Sequence, residues 1–489
     1  MPGPPGTTSP FNSSVAKTDH AQVANYSLTA PDGSQVSVEF GPDTTYGRST
    51  WQVPAPAGGG ALSILVAGML PGANYHMRAL VQLQNGTTVP DRDYVFTTGA
   101  LPTKFPNAFP KIAVTSPGQP NPGVELINMV HPSFVSLVTD LAGNILWYYP
   151  NLAAPSYDGC PMPIKPLPNG NLMVSITNRY AEPPPKNPYC SLREVDLAGD
   201  TVVDSNGQPR QLDLDVLNEK LQTIKTPQGR VVQVNYYSHD FLLLPNAHVI
   251  LLCQEFLTVD GTEVWGDALV DLDETFTPVW VWSMFDYPDV VPITRHPMGL
   301  PDWTHSNAVL ATPDGNLLLS VRAQSWVLKL DYAGGTGTGD ILWILGFEGS
   351  FELSTGPADW FFAQHFPWVF ATSGNDITQL SVMDNGNYRV ASDPPPYSRA
   401  LILSLDEPNQ SATIAWQYPV SPNVYSFWGG NVVQLPNGNI EICWSDVPPN
   451  SLVTEVTYSQ KQLLWQMQIS PPDAYRSYRI PSLYPGVQW

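Results

Sequence analysis

The chain has 489 residues, a formal charge of −21, and 13% charged residues, about half the share of an average soluble protein. That balance excludes nucleic acid as a partner, because neutralising phosphates takes a surplus of Lys and Arg. No run of about 18 apolar residues exists to cross a membrane as a helix. Pro (51) and Gly (37) approach a fifth of a chain that is 43% hydrophobic, which predicts short strands joined by many turns, an all-β protein with a large core.

Residues 1–19 read as a disordered N-terminal segment of Pro, Gly, Ser and Thr with little to bury. Met1-Pro2-Gly3-Pro4-Pro5 is neither basic nor apolar enough for a signal peptide. Either the protein is cytoplasmic or a signal has been removed; a periplasmic or secreted location is expected, with which the acidic surface is compatible. Residues 20–98 read as a small β-sandwich domain. Strand-like stretches include Gln35–Phe40, where polar and apolar residues alternate, Ser63–Val66 and Met77–Leu83. The stretch Leu70-Pro71-Gly72-Ala73-Asn74-Tyr75-His76-Met77-Arg78 resembles the tyrosine corner of fibronectin type III domains, in which the Tyr hydroxyl bonds back to the turn. A linker, 99–110, follows.

Residues 111–489 carry a repeat. A turn leads into a strand at Leu167-Pro168-Asn169-Gly170-Asn171, Leu244-Pro245-Asn246-Ala247, Thr312-Pro313-Asp314-Gly315-Asn316 and Leu435-Pro436-Asn437-Gly438-Asn439; Asn-Gly and Asp-Gly suit tight hairpins. Each cycle ends on an aromatic strand, at Trp147, Val279–Trp282, Trp343, Trp416 and Trp465, with an Asp-bearing strand such as Leu328–Asp331 between. Six cycles of four strands result, the second closing on Thr201-Val202-Val203 in place of Trp. This organisation predicts a six-bladed β-propeller. Cys253 and Cys443 sit in apolar runs as core thiols. Cys160 and Cys190, in Pro-rich loops flanking one strand, are the only credible disulfide pair, bonded or not according to compartment. No CxxC is present, so a cysteine zinc site is not expected.

Three of the eight histidines begin repeat units: His239, His305 and His365. Equivalent positions of successive repeats should face one cavity. Arg322 ends the strand that pairs with the one after His305, across a Pro-Asp-Gly-Asn turn. Imidazoles with a guanidinium suit a tetrahedral anion, since the planar fork of Arg matches sulfate or phosphate oxygens. A neutral His can attack sulfur or phosphorus and another can carry a proton. Taken singly, each reads equally as an ordinary channel residue. A three-His metal site is opposed by the fixed cation beside it. His248 reads as a surface residue, His296 as a loop residue, and His20 and His76 belong to the N-terminal part. Glu255, Asp302 and Asp384 are ascribed to solvated loops or turn bonds. Neither GxSxG nor GxxxxGK[ST] occurs, and Gly334–Gly339 reads as a hairpin loop.

The blocks Asp302-Trp303-Thr304-His305-Ser306-Asn307, Asp314–Leu317, Ser320–Ser325, Leu328–Asp331 and Ile341–Gly346 resemble the core of bacterial arylsulfate sulfotransferases. His239-Asp240, Gln364-His365 and Asp384–Arg389 are similar in kind and order. The resemblance spans about 111 to 470. It implies a six-bladed propeller behind a small β domain, and ping-pong transfer of a sulfuryl group from a phenolic sulfate to a phenol through a sulfohistidine. No nucleotide sulfate donor and no cofactor would be needed, although the acidic surface could hold a structural calcium ion. It further implies His365 as nucleophile, Arg322 and His305 on the sulfuryl oxygens with Asn307 assisting, and His239 on the sulfate or the phenolic proton, oriented by Asp240. Tyr236, Tyr237, Trp303 and Trp428 would stack the aryl ring. In one departure, Phe366-Pro367 follows His365 where some relatives place an acidic residue. The expected partners are the aryl sulfate donor and phenol acceptor, the protein being a monomer or a homodimer. Two other readings are a calcium-dependent six-bladed lactonase or esterase, which would need a carboxylate and amide cage, and a non-catalytic binding propeller.

Overall fold

A computed structural model describes residues 9–103, 109–130, 135–149, 160–178, 189–389, 396–418 and 424–489. The all-β expectation holds: among these residues the only α-helix is Leu214–Leu221.

The N-terminal part builds two sheets. One joins Ser14–Lys17, Ala24–Ala30 and Gly60–Val66; the other centres on Gln35–Gly41 and Asn74–Gln82. Period-2 alternation buries Val36, Val38 and Phe40 in one core cluster with Tyr26, Leu28 and Ile64. The Tyr75 hydroxyl accepts from the Leu70 N–H at 2.9 Å, the bond that the Leu70–Arg78 motif predicts. The expected disorder over 1–19 is corrected: Ser14–Lys17 is a strand paired with Ala24–Ala30, and Phe11 is buried. Ladder bonds to a neighbour order this edge, and composition does not register them. Residues 1–8, and 104–108 of the expected linker, lie outside the described residues.

His20 joins this part to the next. Its Nδ1 accepts from the Gln22 N–H at 3.0 Å, which leaves Nε2–H to donate to the Tyr148 carbonyl at 2.9 Å. The bond that Nδ1 accepts needs the neutral ring, and burial pushes its pKa down to about 4. The unfolded chain therefore binds the extra proton first as pH falls. Stability should decline between about pH 6.5 and 4, by about 3 kcal/mol in all. Melting of wild type and His20→Gln across that window checks this: the wild-type advantage at pH 7 should shrink towards pH 4.

Six further sheets follow. Five are consecutive meanders: Cys160–Pro166 to Gln211–Asp213, Tyr236–Leu243 to Pro278–Ser283, Ser306–Ala311 to Ile341–Gly346, His365–Ser373 to Ser411–Tyr418, and Asn431–Gln434 to Leu463–Ser470. The sheet that precedes them in sequence holds Val124–Met129, Leu137–Thr139 and Ile145–Tyr148, and is completed by Ala474–Ile480, which pairs antiparallel with Val124–Met129. The recurrent Trp has a structural reason. Trp147, Trp282, Trp416 and Trp465 each donate the indole N–H at 2.8 Å to a carbonyl of the next sheet: Leu197, Gly339, Tyr458 and, from the last sheet to the first, Leu141. Trp343 meets the Glu407 carboxylate at 2.9 Å. Each ring fills the gap between sheets while its one polar atom is satisfied. Trp147→Phe, which strands the Leu197 carbonyl, should cost about 1–3 kcal/mol, and Trp147→Ala about 3–5 kcal/mol, read from urea midpoints.

One expectation fails here, and the question left open on Cys160 and Cys190 is answered. The second cycle does not close on Thr201–Val203. Those residues make only isolated bridges, squeezed between the tight turns Asp196–Asp200 and Asp204–Gln208, and the fourth strand is Gln211–Asp213. Cys160 and Cys190 are not bonded. Both lie opposite Thr177, one on either side of the strand Leu172–Thr177, about 10 Å apart by strand spacing and beyond disulfide reach. All four thiols are free and buried.

Hydrogen bonds link the innermost strands. Lys165 reaches Asp240 at 2.7 Å, Asn307 Nδ2 donates to the Gln364 carbonyl at 2.8 Å, and Asn431 Nδ2 donates to the Ser477 carbonyl at 2.8 Å, each between neighbouring sheets, while Arg476 of the first sheet bonds the Asn307 carbonyl of the fourth.

Candidate active site

The ends of these first strands bring the expected histidines together. His239 lies in Tyr236–Leu243 where the ladder register shifts, and its ring centroid is 4.8 Å from that of His305. His365 opens its strand and is 1% exposed. Tyr475, from Ala474–Ile480, stands between: its ring centroid is 5.9 Å from His239 and 5.9 Å from His365. Trp428 stacks on Tyr475 at 6.4 Å.

His305 is held in the left-handed region, φ 47°, which costs a non-Gly residue about 1–2 kcal/mol. Asp267 supplies the clamp, accepting from Thr304 Oγ1 at 2.5 Å and the Ser306 N–H at 2.6 Å, on either side of His305. Burial raises its pKa to about 6. Asp302 Oδ2 lies 2.6 Å from His305 Nδ1 and orients the ring. His365 Nδ1 faces Asn385 Oδ1 at 2.7 Å, and the Gly429 N–H points at Nε2 at 3.2 Å. Burial holds the His365 pKa well below the usual imidazole range, and the charges of Arg322 and Arg476 push the same way. The ring is thus neutral at pH 7, the form in which an imidazole can act as a nucleophile.

Arg322 opens the turn Arg322–Gln324 and is buried. No carboxylate pairs with it among the described residues. Nη1 lies 3.6 Å from Met298 Sδ, Nη2 lies 3.4 Å from the Phe427 carbonyl, and the buried Nε has no partner. A buried guanidinium placed this way is suited to an anion, because a charge out of water is costly until an opposite charge meets it.

Other expected residues fall elsewhere. Asp240 does not face His239, whose Nδ1 meets Ser238 Oγ at 2.8 Å. Its two carboxylate oxygens go to Lys165 at 2.7 Å and Arg476 at 3.1 Å. Asn307 spans neighbouring sheets through Nδ2, and its Oδ1 is buried without a partner. Tyr237 and Trp303 are fully buried in the cores between sheets, and Tyr236 packs on Phe256. Of the four aromatics, only Trp428 joins the site. Asp302, ascribed above to a turn bond, is the partner of His305. Asp384 and Glu255 are buried ion-pair centres, the first with Arg389 and Arg399, the second with Arg230. His248 is half-buried against Asp271 at 2.9 Å, not a free surface residue. Phe366 lies under the Arg476 guanidinium at 4.4 Å, so the apolar residue after His365 serves as a cation–π platform.

Sequence reasoning missed Tyr475, Arg476 and the role of Asn385. Asn385 lay inside a stretch already singled out; Tyr475 and Arg476 gave no signal, because they sit in a strand outside every repeat motif. Among the described residues no group of three or more His, Cys, Asp or Glu could hold a metal ion, and no helix is long and apolar enough to cross a membrane.

The profile of the arylsulfotransferase (ASST) family matches residues 119–479, well over half of the chain. No curated protein matches the sequence. Among solved structures, a streptogramin B lyase is 13% identical with TM-score 0.31, over 68% of this chain and 72% of that one. A Lactobacillus plantarum protein is 12% identical with TM-score 0.35, over 73% of this chain and 99% of that one. Virginiamycin B lyase from Staphylococcus aureus is 10% identical with TM-score 0.30, over 82% of this chain and 92% of that one. Likeness at this level identifies neither fold nor activity.

Proposed function

The chain belongs to the arylsulfotransferase family, and on that premise we propose that it moves a sulfuryl group from a phenolic sulfate ester to a phenol by a ping-pong reaction through a sulfohistidine at His365. The observation that carries this reading is the buried Arg322, without a carboxylate, whose charge reaches a neutral, buried His365.

The donor sulfate sits against Arg322 and His305. The His365 lone pair forms the N–S bond as the S–O bond to the ring breaks, and that electron pair leaves on the phenolate oxygen. His239 or His305 protonates the phenolate and later takes the proton of the acceptor phenol, whose oxygen attacks sulfur and frees His365. Trp428 and Tyr475 form an aromatic wall for the ring. Asn307 commits its Nδ2 donor to the Gln364 carbonyl, and its Oδ1 can only accept, so its part is to hold neighbouring strands in place.

The finer architecture is part of the proposal. Residues 111–489 close as a six-bladed propeller, supported by the Trp bonds running from sheet to sheet and from the last back to the first. Residues 20–98 form a fibronectin type III-like domain, supported by the Tyr75–Leu70 bond, with 99–110 as linker. A periplasmic or secreted location fits the acidic composition.

The test is 4-nitrophenyl sulfate with a phenol acceptor in EDTA. Acceptor-dependent nitrophenolate release supports the reading. No release, with intact folding and no transfer from other aryl sulfates, points to a binding protein instead.

A further inference from the structure

We propose that Asn385 is a positioning residue that fixes which nitrogen of His365 attacks sulfur; this rests on the reading of His365 as nucleophile. The Asn385 amide has one workable orientation. Its Nδ2 donates to the Ser426 carbonyl at 2.8 Å and the Gly429 carbonyl at 3.1 Å. A flipped amide would aim an oxygen at two carbonyls, so Oδ1 must face His365. Being only an acceptor, Oδ1 requires the proton on Nδ1, 2.7 Å away. The lone pair is thereby confined to Nε2, where it accepts from the Gly429 N–H at 3.2 Å, a bond that sulfur displaces on attack.

The surroundings lock this arrangement. Ser398 Oγ donates to the Asn385 carbonyl at 2.7 Å and accepts from the Ser426 N–H at 2.8 Å, tying Asn385 to the segment that carries Gly429. Gly429 has φ +66°, and a Cβ there would lie 2.4 Å from Ser445 Oγ. Only glycine lets this backbone N–H approach the ring.

Asn does here what Asp could not. During transfer Nε2 gives its pair to sulfur, the aryl S–O bond breaks with its pair on oxygen, and the proton stays on Nδ1, hydrogen-bonded to Asn385 Oδ1. When the acceptor oxygen takes the sulfuryl group, the N–S pair returns to Nε2. A neutral acceptor serves both stages without adding the negative charge that would favour a protonated, unreactive ring. The charged and titratable groups facing His365 from the neighbouring elements are Arg322, Arg476, His305 and Tyr475, with His239 beyond the Tyr475 ring.

The test reads the ring directly. Protein labelled with ¹⁵N-histidine reports each tautomer through two-bond proton–nitrogen correlations, and the signals lost in His365→Gln are those of His365. Wild type should show a single Nδ1–H form. Asn385→Leu should show a mixture, with kcat lower by about 10²-fold, a misplaced tautomer costing up to about 10⁴-fold in a Ser-His-Asp triad. Asn385→Asp should keep the Nδ1–H form but move the acid limb of kcat/KM upward by about one pH unit or more. Near-UV circular dichroism confirms that each variant is folded. A single Nδ1–H form in folded Asn385→Leu, or an acid limb unmoved in folded Asn385→Asp, overturns the proposal. Full turnover in His365→Ala would overturn the nucleophile reading itself, and the role of Asn385 with it.

Discussion

His365→Ala should lower kcat for transfer from 4-nitrophenyl sulfate by about 10⁴-fold or more, the scale seen when a covalent nucleophile is removed. The remaining groups can still bind the donor, so KM should change far less than kcat. Wild type incubated with ³⁵S-labelled donor should retain acid-labile label on the protein before acceptor is added; the variant should retain none. The pH profile follows from the sign of the His365 shift. The reactive form is the neutral ring, and burial with the nearby guanidinium charges holds the pKa well below the usual imidazole range. Activity should therefore persist below about pH 6.5, where an ordinary histidine is already half protonated. An acid limb at or above that value would show that His365 is not the group being titrated.

Arg322→Leu should cost about 10²–10³-fold in kcat/KM, the range for removing one preorganised group aimed at developing charge. Arg322→Lys should recover only part, because an ammonium cannot reproduce the planar fork. A second result comes with it. The Arg322 guanidinium is buried without a carboxylate, so an apolar replacement should raise the melting temperature of the protein in the absence of sulfate or substrate while activity falls. Added sulfate should stabilise wild type and have little effect on the variant. A variant that lost activity and stability together would point to a structural role for Arg322.

Much of the architecture was legible because it repeats. The Pro-Asn-Gly turns and the recurrent Trp mark strand pairs locally, each within one hairpin, and His239, His305 and His365 could be aligned by their place in the unit. What escaped depends on contacts across sheets. Asp240 looked like a partner for its neighbour His239, but neighbours on a strand point to opposite faces, and its carboxylate meets Lys165 and Arg476 instead. Tyr237 and Trp303 lie two residues before site histidines, where alternation alone would give a shared face; the register shift after Tyr237 and the left-handed backbone of His305 separate them. The edge strand Ser14–Lys17 takes its order from a neighbour's backbone. Tyr475 became visible only once Ala474–Ile480 was found paired with Val124–Met129.

That pairing bears on how the protein is made. Residues 124–129 leave the ribosome early, yet their neighbour on one side is translated after most of the chain. The same late strand delivers Tyr475 to the site and Arg476 to Asp240. A nascent chain that has not reached 474–480 therefore holds the three histidines and Arg322 but lacks the Tyr475 ring between them and one of the two cations on Asp240. Premature termination upstream of this strand should yield inert protein, with no gradation of partial activity by length. Competence arrives in one step, when the strand is added.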